Sequence, residues 1–153
     1  MSLNNTLTSE LVLLAKQYGQ ETVWAYTLTN GKFYESSPLT SEEQKSVRKR
    51  ITSLNRQFVK DSFINSSNLA LSDSKGKIKY VEGFIYIKEF DIPFLHAWNE
   101  INGKVIDTTL KTKDEGRNFG IFENISYFGT VFGNGNLYGN NGKSVLLAKF
   151  PRL

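Results

Sequence analysis

The sequence predicts an α+β fold: N-terminal helices packed on a mostly antiparallel sheet, in a single domain spanning residues 1–153. Three observations support this prediction. Helical patterns dominate the first half of the chain, and strand patterns dominate the second. The length of 153 residues suits one core, because a chain of this size buries about two-thirds of its unfolded surface without disulfides or metals.

The helical segments are recognised by apolar spacing and by capping residues. Residues 7–18 place apolar side chains on one helical face. Thr40 and Glu43 have the spacing of a capping box, which predicts a helix over 41–54. Asp61 is a suitable N-cap for a further helix directly after it.

The strand-like segments are short and rich in β-branched and aromatic residues. Asn30-Gly31 and Asn102-Gly103 are strong signals for tight hairpin turns. The first predicts a short hairpin near the N-terminus, and the second predicts an antiparallel pair in the second half. The predicted strands cover residues 22–29, 32–35, 77–88, 94–99, 104–110, 126–132 and 144–150.

The Gly/Asn-rich segment 133–142 and the residues after it superficially resemble the end of a phosphate-binding loop. Leu137 stands where that pattern needs a glycine. The following segment, 144–150, is predicted to be a strand and not the helix that would hold phosphate. We therefore expect an exposed loop without a bound nucleotide.

Composition limits the possible functions. The chain has no cysteine and one histidine, which excludes disulfides and thiolate-bound metals and predicts neither a metal nor a cofactor. No signal-like or membrane-spanning apolar run is found, so a cytoplasmic location is expected. The net charge is +4. The densest basic run, Arg48–Arg50, would point in several directions on a helix, so a solvated face is favoured over nucleic-acid binding.

The single histidine has a neighbour that could give it a chemical role. The Asn102-Gly103 turn would fold the strand of His96 back onto the strand of Asp107. An aspartate that accepts a hydrogen bond from one imidazole nitrogen leaves the other nitrogen to take a proton from a nucleophile. The spacing predicts that His96 and Asp107 form such a base-and-orienter pair.

Three motifs together resemble the signature of small, often phage- or bacterium-encoded proteins of the transglutaminase/papain-like superfamily. They are Tyr-Val-Glu-Gly from residue 80, His-Ala-Trp from residue 96 and Val-Ile-Asp-Thr-Thr from residue 105. The resemblance covers roughly residues 58–132. In that family a cysteine followed by an aromatic residue opens the helix before the first motif. This chain has Ser62-Phe-Ile-Asn there.

The resemblance implies a papain-like or transglutaminase-core-like fold and a triad with Ser62 as nucleophile, His96 as general base and Asp107 as orienting acid. It also suggests that Tyr80, Glu82 and Trp98 shape the site.

For two of these residues a structural role remains open. Glu82 could instead pair with a cation or cap backbone amides, and Trp98 could wall the pocket or pack in the core. Gln57 is a possible oxyanion donor, as a glutamine is in papain-like enzymes.

The implied function is hydrolysis or acyl transfer at an amide or related acyl bond of a peptide, a protein or a small molecule. Serine at position 62 is a poorer nucleophile than cysteine. It could reflect an engineered inactivation, a serine-dependent enzyme or a degenerate site kept for binding. The alternative function is a catalytically silent binding module that uses the same cleft. Nucleic-acid association through the basic helix is a third and weaker hypothesis.

Overall fold

The computed structural model describes residues 2–54, 61–110 and 123–151. These residues form an α+β structure with an antiparallel sheet, which confirms the predicted class. The helices are α1 (Leu3–Tyr18), α2 (Val23–Asn30), α3 (Ser41–Leu54), α4 (Ser62–Ser72) and α5 (Val145–Lys149). The strands are β1 (Lys32–Tyr34), β2 (Lys79–Ile87), β3 (Pro93–Ile101), β4 (Lys104–Ile106) and β5 (Ile125–Phe132).

The two predicted helix caps are confirmed. The amide of Thr40 donates to the Glu43 carboxylate at 2.7 Å, and the amide of Glu43 donates to the Thr40 hydroxyl at 3.2 Å, forming the capping box of α3. The Asp61 carboxylate accepts from the amides of Phe63 and Ile64 at the start of α4. Helix α1 begins four residues earlier than predicted, because Ser2 accepts from the amide of Asn5 and acts as its cap.

The predicted N-terminal hairpin is wrong. Its first strand, 22–29, is the helix α2, in which Thr22 is the N-cap and accepts from the amide of Ala25. Two of the β-branched residues that suggested a strand, Val23 and Thr27, are instead fully buried in the helix. Burial against neighbouring elements outweighs intrinsic strand preference in such short segments.

The predicted strand at 144–150 is also wrong. Ser144 accepts from the amide of Leu147 and caps α5, a helix of five residues. The prediction that no helix follows the 133–142 loop is therefore wrong as well. The loop itself is largely exposed, apart from the buried side chain of Leu137 and a short 3-10 turn at Asn134–Asn136.

The sheet has the strand order β1-β5-β2-β3-β4, with neighbouring strands antiparallel. It curls so strongly that its two edges meet. The amide of Val105, in β4, donates to the carbonyl of Glu35 just after β1, at 3.0 Å. One face of the curled sheet packs on helices, and the other face encloses a small core of its own. Among the described residues, no helix is long and apolar enough to cross a membrane.

Candidate functional site

The β3–β4 hairpin brings His96 and Asp107 together. Asn102 and Gly103 both have positive φ angles, 52° and 81°, as a two-residue hairpin turn requires. The pairing of Asn99 with Ile106 places Asp107 just beyond the end of β4, beside the strand that carries His96. His96 Nε2 lies 2.8 Å from Asp107 Oδ2, and both side chains are buried.

Asp107 is held rigidly by four hydrogen-bond donors. Its Oδ1 accepts from the amides of Thr109 and Leu110, both at 3.0 Å. Its Oδ2 accepts from Tyr127 Oη at 3.0 Å, in addition to His96. A buried carboxylate with all these partners stays in one orientation, because any other rotamer leaves donors unsatisfied.

Ser62, the first residue of α4, lies at a buried edge of β3 that has no partner among the described strands. Strand β4 is only three residues long and ends before Ala97, so the Ala97 amide is not paired with it. That amide donates to Ser62 Oγ at 3.2 Å. Ser62 therefore contacts the residue directly after His96. No hydrogen bond joins Ser62 Oγ to the His96 ring, although both residues are described.

Two asparagines fix α4 against the hairpin. Asn65 Nδ2 donates to Thr109 Oγ1 at 2.8 Å, which ties the helix to the segment after Asp107. Asn99 Nδ2 donates to the carbonyl of Ser66 at 2.9 Å, which ties the helix to β3. The separation between residue 62 and the His96–Asp107 pair is thus set by the hydrogen bonds of buried side chains.

Trp98 lies on the same face of β3 as His96. Its indole is fully buried, and it stacks on the imidazole with ring centroids 6.3 Å apart and an angle of 20° between the planes. The space for the indole depends on Gly129, where an added Cβ would lie 2.7 Å from Trp98 Cη2. Trp98 thus packs in the inner core and stacks on His96, and its role as the wall of a pocket stays a prediction.

Tyr80 and Glu82 lie on the opposite face of the sheet. Side chains alternate between the two faces along β2, and Gly83 pairs with His96. Tyr80 and Glu82 therefore point to the face opposite the one that His96 occupies. Glu82 is fully buried and caps α5: it accepts from the amides of Val145 and Leu146 at 2.8 and 2.9 Å. It also accepts from Ser144 Oγ, and from Tyr80 Oη at 2.6 Å. This arrangement corresponds to the structural role considered for Glu82.

Of the remaining residues, Gln57 lies outside the described part of the chain. Tyr127 contacts Asp107 directly and was not predicted. It is 20 residues further along the sequence than Asp107, on β5, which is separated from β4 by β2 and β3 in the sheet, and no local motif marks it.

Within the described ranges, no cluster of three or more His, Asp or Glu side chains could hold a metal ion. Comparisons with protein-family models, curated proteins and solved structures found no match to this chain.

Proposed function

We propose that this protein is an acyl-transfer enzyme or its inactive form, built to attack an amide or related acyl bond through residue 62, His96 and Asp107. The proposal extends to the fold, which we assign to the papain-like or transglutaminase-core-like type. The observation that carries it is the buried 2.8 Å contact between His96 Nε2 and Asp107 Oδ2, beside the first residue of a helix.

The orientation of the imidazole favours base catalysis. Asp107 accepts from Nε2, so the neutral ring carries its proton there and presents a lone pair at Nδ1. Nδ1 makes no hydrogen bond to any described residue. It is therefore free to take a proton from a nucleophile on the neighbouring helix.

The surroundings of residue 62 favour an anion on its side chain. The Ala97 amide already donates to Oγ, and the positive end of the α4 dipole lies at the same position. The carboxylate of Asp61 opposes this effect, but it is itself bonded to two helix amides. A thiolate would gain more from these donors than a serine hydroxyl, which ionises far less readily.

The proposed reaction begins with attack of the residue 62 side chain on the acyl carbon while His96 removes its proton. The leaving amine then takes that proton from His96, and an acyl group remains on residue 62. Transfer to water completes hydrolysis, and transfer to another amine completes acyl exchange. Substrates would be peptides, proteins or small amides.

The decisive experiment is iodoacetamide labelling of a Ser62→Cys variant, which contains one thiol because the chain has no other cysteine. We expect half-maximal labelling below pH 7, compared with about 8.5 for a free cysteine. At pH 6 this corresponds to a labelling rate about tenfold or more above that of an ordinary thiol. His96→Ala in the same background should return the profile toward that of a free thiol.

Ser41→Cys is the matched control, since Ser41 is also the first residue of a capped helix but is exposed and has no histidine beside it. It separates the effect of the helix dipole from that of His96.

An alternative is a silent binding module, favoured by the hydrogen bond of Ser62 to Ala97 in place of one to His96. The alternative is established, and the enzyme rejected, by either of two results. The labelling profile of Ser62→Cys is unchanged by His96→Ala, or the thiol does not label in the folded protein at any pH.

A further inference from the structure

Tyr127 shares a carboxylate oxygen with the histidine. Its hydroxyl lies 3.0 Å from Asp107 Oδ2, the same oxygen that lies 2.8 Å from His96 Nε2. Of the described titratable groups, Tyr127 and His96 are the two that bond to Asp107. Both donors therefore compete for the electron density of one atom.

The curl of the sheet makes this contact possible. Tyr127 is on β5, and β2 and β3 lie between it and the end of β4. Flat strands stand about 4.8 Å apart, which would put Asp107 out of reach of a tyrosine three strands away. On the inner face of the curled sheet, Tyr127 packs edge-on against Trp98, with ring centroids 5.0 Å apart, and reaches Asp107.

The hydroxyl can act only as a donor toward Asp107. Burial and the adjacent Asp107 carboxylate raise the pKa of Tyr127 well above its usual value. The phenol therefore keeps its proton at neutral pH. Its proton is directed at the carboxylate, since an ionised carboxylate accepts and cannot donate.

We propose that Tyr127 is a positioning residue of the site, which tunes the proton affinity of His96 through the shared oxygen of Asp107. This inference deepens the proposed acyl-transfer function and rests on it for its catalytic meaning. The hydrogen bond from Tyr127 reduces the negative charge on Oδ2, so Asp107 stabilises the imidazolium form of His96 less strongly. The neutral ring, which is the form that can accept a proton, is then populated at lower pH.

The test is an NMR titration of the imidazole, which is unambiguous because the chain has one histidine. Tyr127→Phe removes the competing donor and keeps the ring. We expect the midpoint of the His96 titration to rise by about 0.5 pH units, because the freed charge on Asp107 favours the imidazolium. An unchanged or lower midpoint would overturn the proposal.

Tyr80→Phe is the matched control. It removes another buried tyrosine–carboxylate hydrogen bond, the one to Glu82, on the opposite face of the sheet. It should leave the His96 midpoint in place even if it lowers stability. An equal rise in both variants would show a general loosening of the fold and would reject a specific role for Tyr127.

If Tyr127→Phe does not fold, uniform incorporation of 3-fluorotyrosine offers a second measurement. Fluorination makes the phenol a stronger donor, so the His96 midpoint should fall instead of rise. No change on fluorination would also overturn the proposal.

The labelling experiment keeps this inference separable from the proposed function. A shifted His96 midpoint together with an ordinary thiol at position 62 would retain the Tyr127 role and reject the enzyme. An activated thiol together with an unmoved midpoint would retain the enzyme and reject the Tyr127 role.

Discussion

Two buried carboxylates, Glu82 and Asp107, lie on opposite faces of the same sheet and bind different partners. Glu82 and Asp107 each accept four hydrogen bonds, and in each case two donors are backbone amides and one is a tyrosine. The fourth donor of Glu82 is a serine hydroxyl, whereas the fourth donor of Asp107 is an imidazole. The two carboxylates are therefore both buried and accept the same number of hydrogen bonds, and they differ in the chemical type of one donor.

The difference shows why buried charge alone is a poor guide to function. Glu82 joins β2 to the start of α5 through donors that do not titrate near neutral pH, so it is suited to holding structure. Asp107 bonds to an imidazole, the side chain type that most often accepts or releases a proton in enzyme reactions. Under the proposed function, the chemistry of its partner is what distinguishes Asp107 from Glu82.

The largest effect we expect is the loss of stability in Glu82→Gln. The amide group of glutamine would face donors that now meet a carboxylate oxygen, at a cost of about 2–4 kcal/mol in the free energy of unfolding. Denaturant unfolding measures this loss, and Glu89→Gln on the exposed β2–β3 connection should change stability by less than about 0.5 kcal/mol. An unchanged free energy of unfolding in Glu82→Gln would show that the Glu82 carboxylate is not needed to hold α5 on β2.

A smaller loss is expected for Gly129→Ala, which affects the inner face alone. The added methyl would approach Trp98 Cη2 to 2.7 Å and the carbonyl oxygen of Glu82 to 2.8 Å. The resulting overpacking should cost about 1–3 kcal/mol, as measured by thermal or denaturant unfolding. Gly135→Ala is the control, because no atom lies within 4 Å of its added Cβ. Equal stability of the two variants would show that the Trp98 side chain can shift to accommodate the added methyl group at no cost.

The smallest effect concerns a third carboxylate, Glu43, whose partners include a cation. Burial alone would raise its pKa, but hydrogen bonds from Lys104, Thr40 and Asn102 lower the pKa to about 2. Because the folded value lies below the ordinary value of 4.5, this carboxylate stabilises the fold above pH 4.5, and the contribution is lost as the pH falls toward 2.

The measurement for Glu43 is urea unfolding of the parent and of Lys104→Met between pH 6 and 2. The stability difference between them should shrink as the solution becomes acidic. Lys88→Met, at an exposed position, should show no such trend. A difference that stays constant with pH would assign the loss to packing of the lysine side chain and not to its charge.

Several elements could be predicted because their signals are local. The capping box of Thr40 and Glu43, the Asp61 cap and the Asn102-Gly103 turn each act within a few residues, and all three are confirmed. The same turn brings His96 to Asp107. The site could be predicted this far because its two central residues belong to one hairpin.

The two wrong strand predictions, at 22–29 and 144–150, arose because the deciding interactions are not local. Helices α2 and α5 are short and depend on burial against distant elements, so the strand preference of their residues was misleading. Thr22 and Ser144 were the capping signals that could have corrected those predictions. Tyr127 could not have been predicted from any local pattern, because its contact depends on strand order and on the curl of the sheet.

The tight turn at Asn102-Gly103 also governs how this site can evolve. Successive side chains of a strand point to opposite faces, so a one-residue shift in the register of β4 on β3 would turn Asp107 away from His96. The hairpin would then lose the hydrogen bond between His96 and Asp107 while its amino-acid composition stays the same. Under the proposed function, a change in the turn that shifts this register by one residue would abolish the chemistry in one step, whereas a two-residue shift would keep Asp107 on the same face.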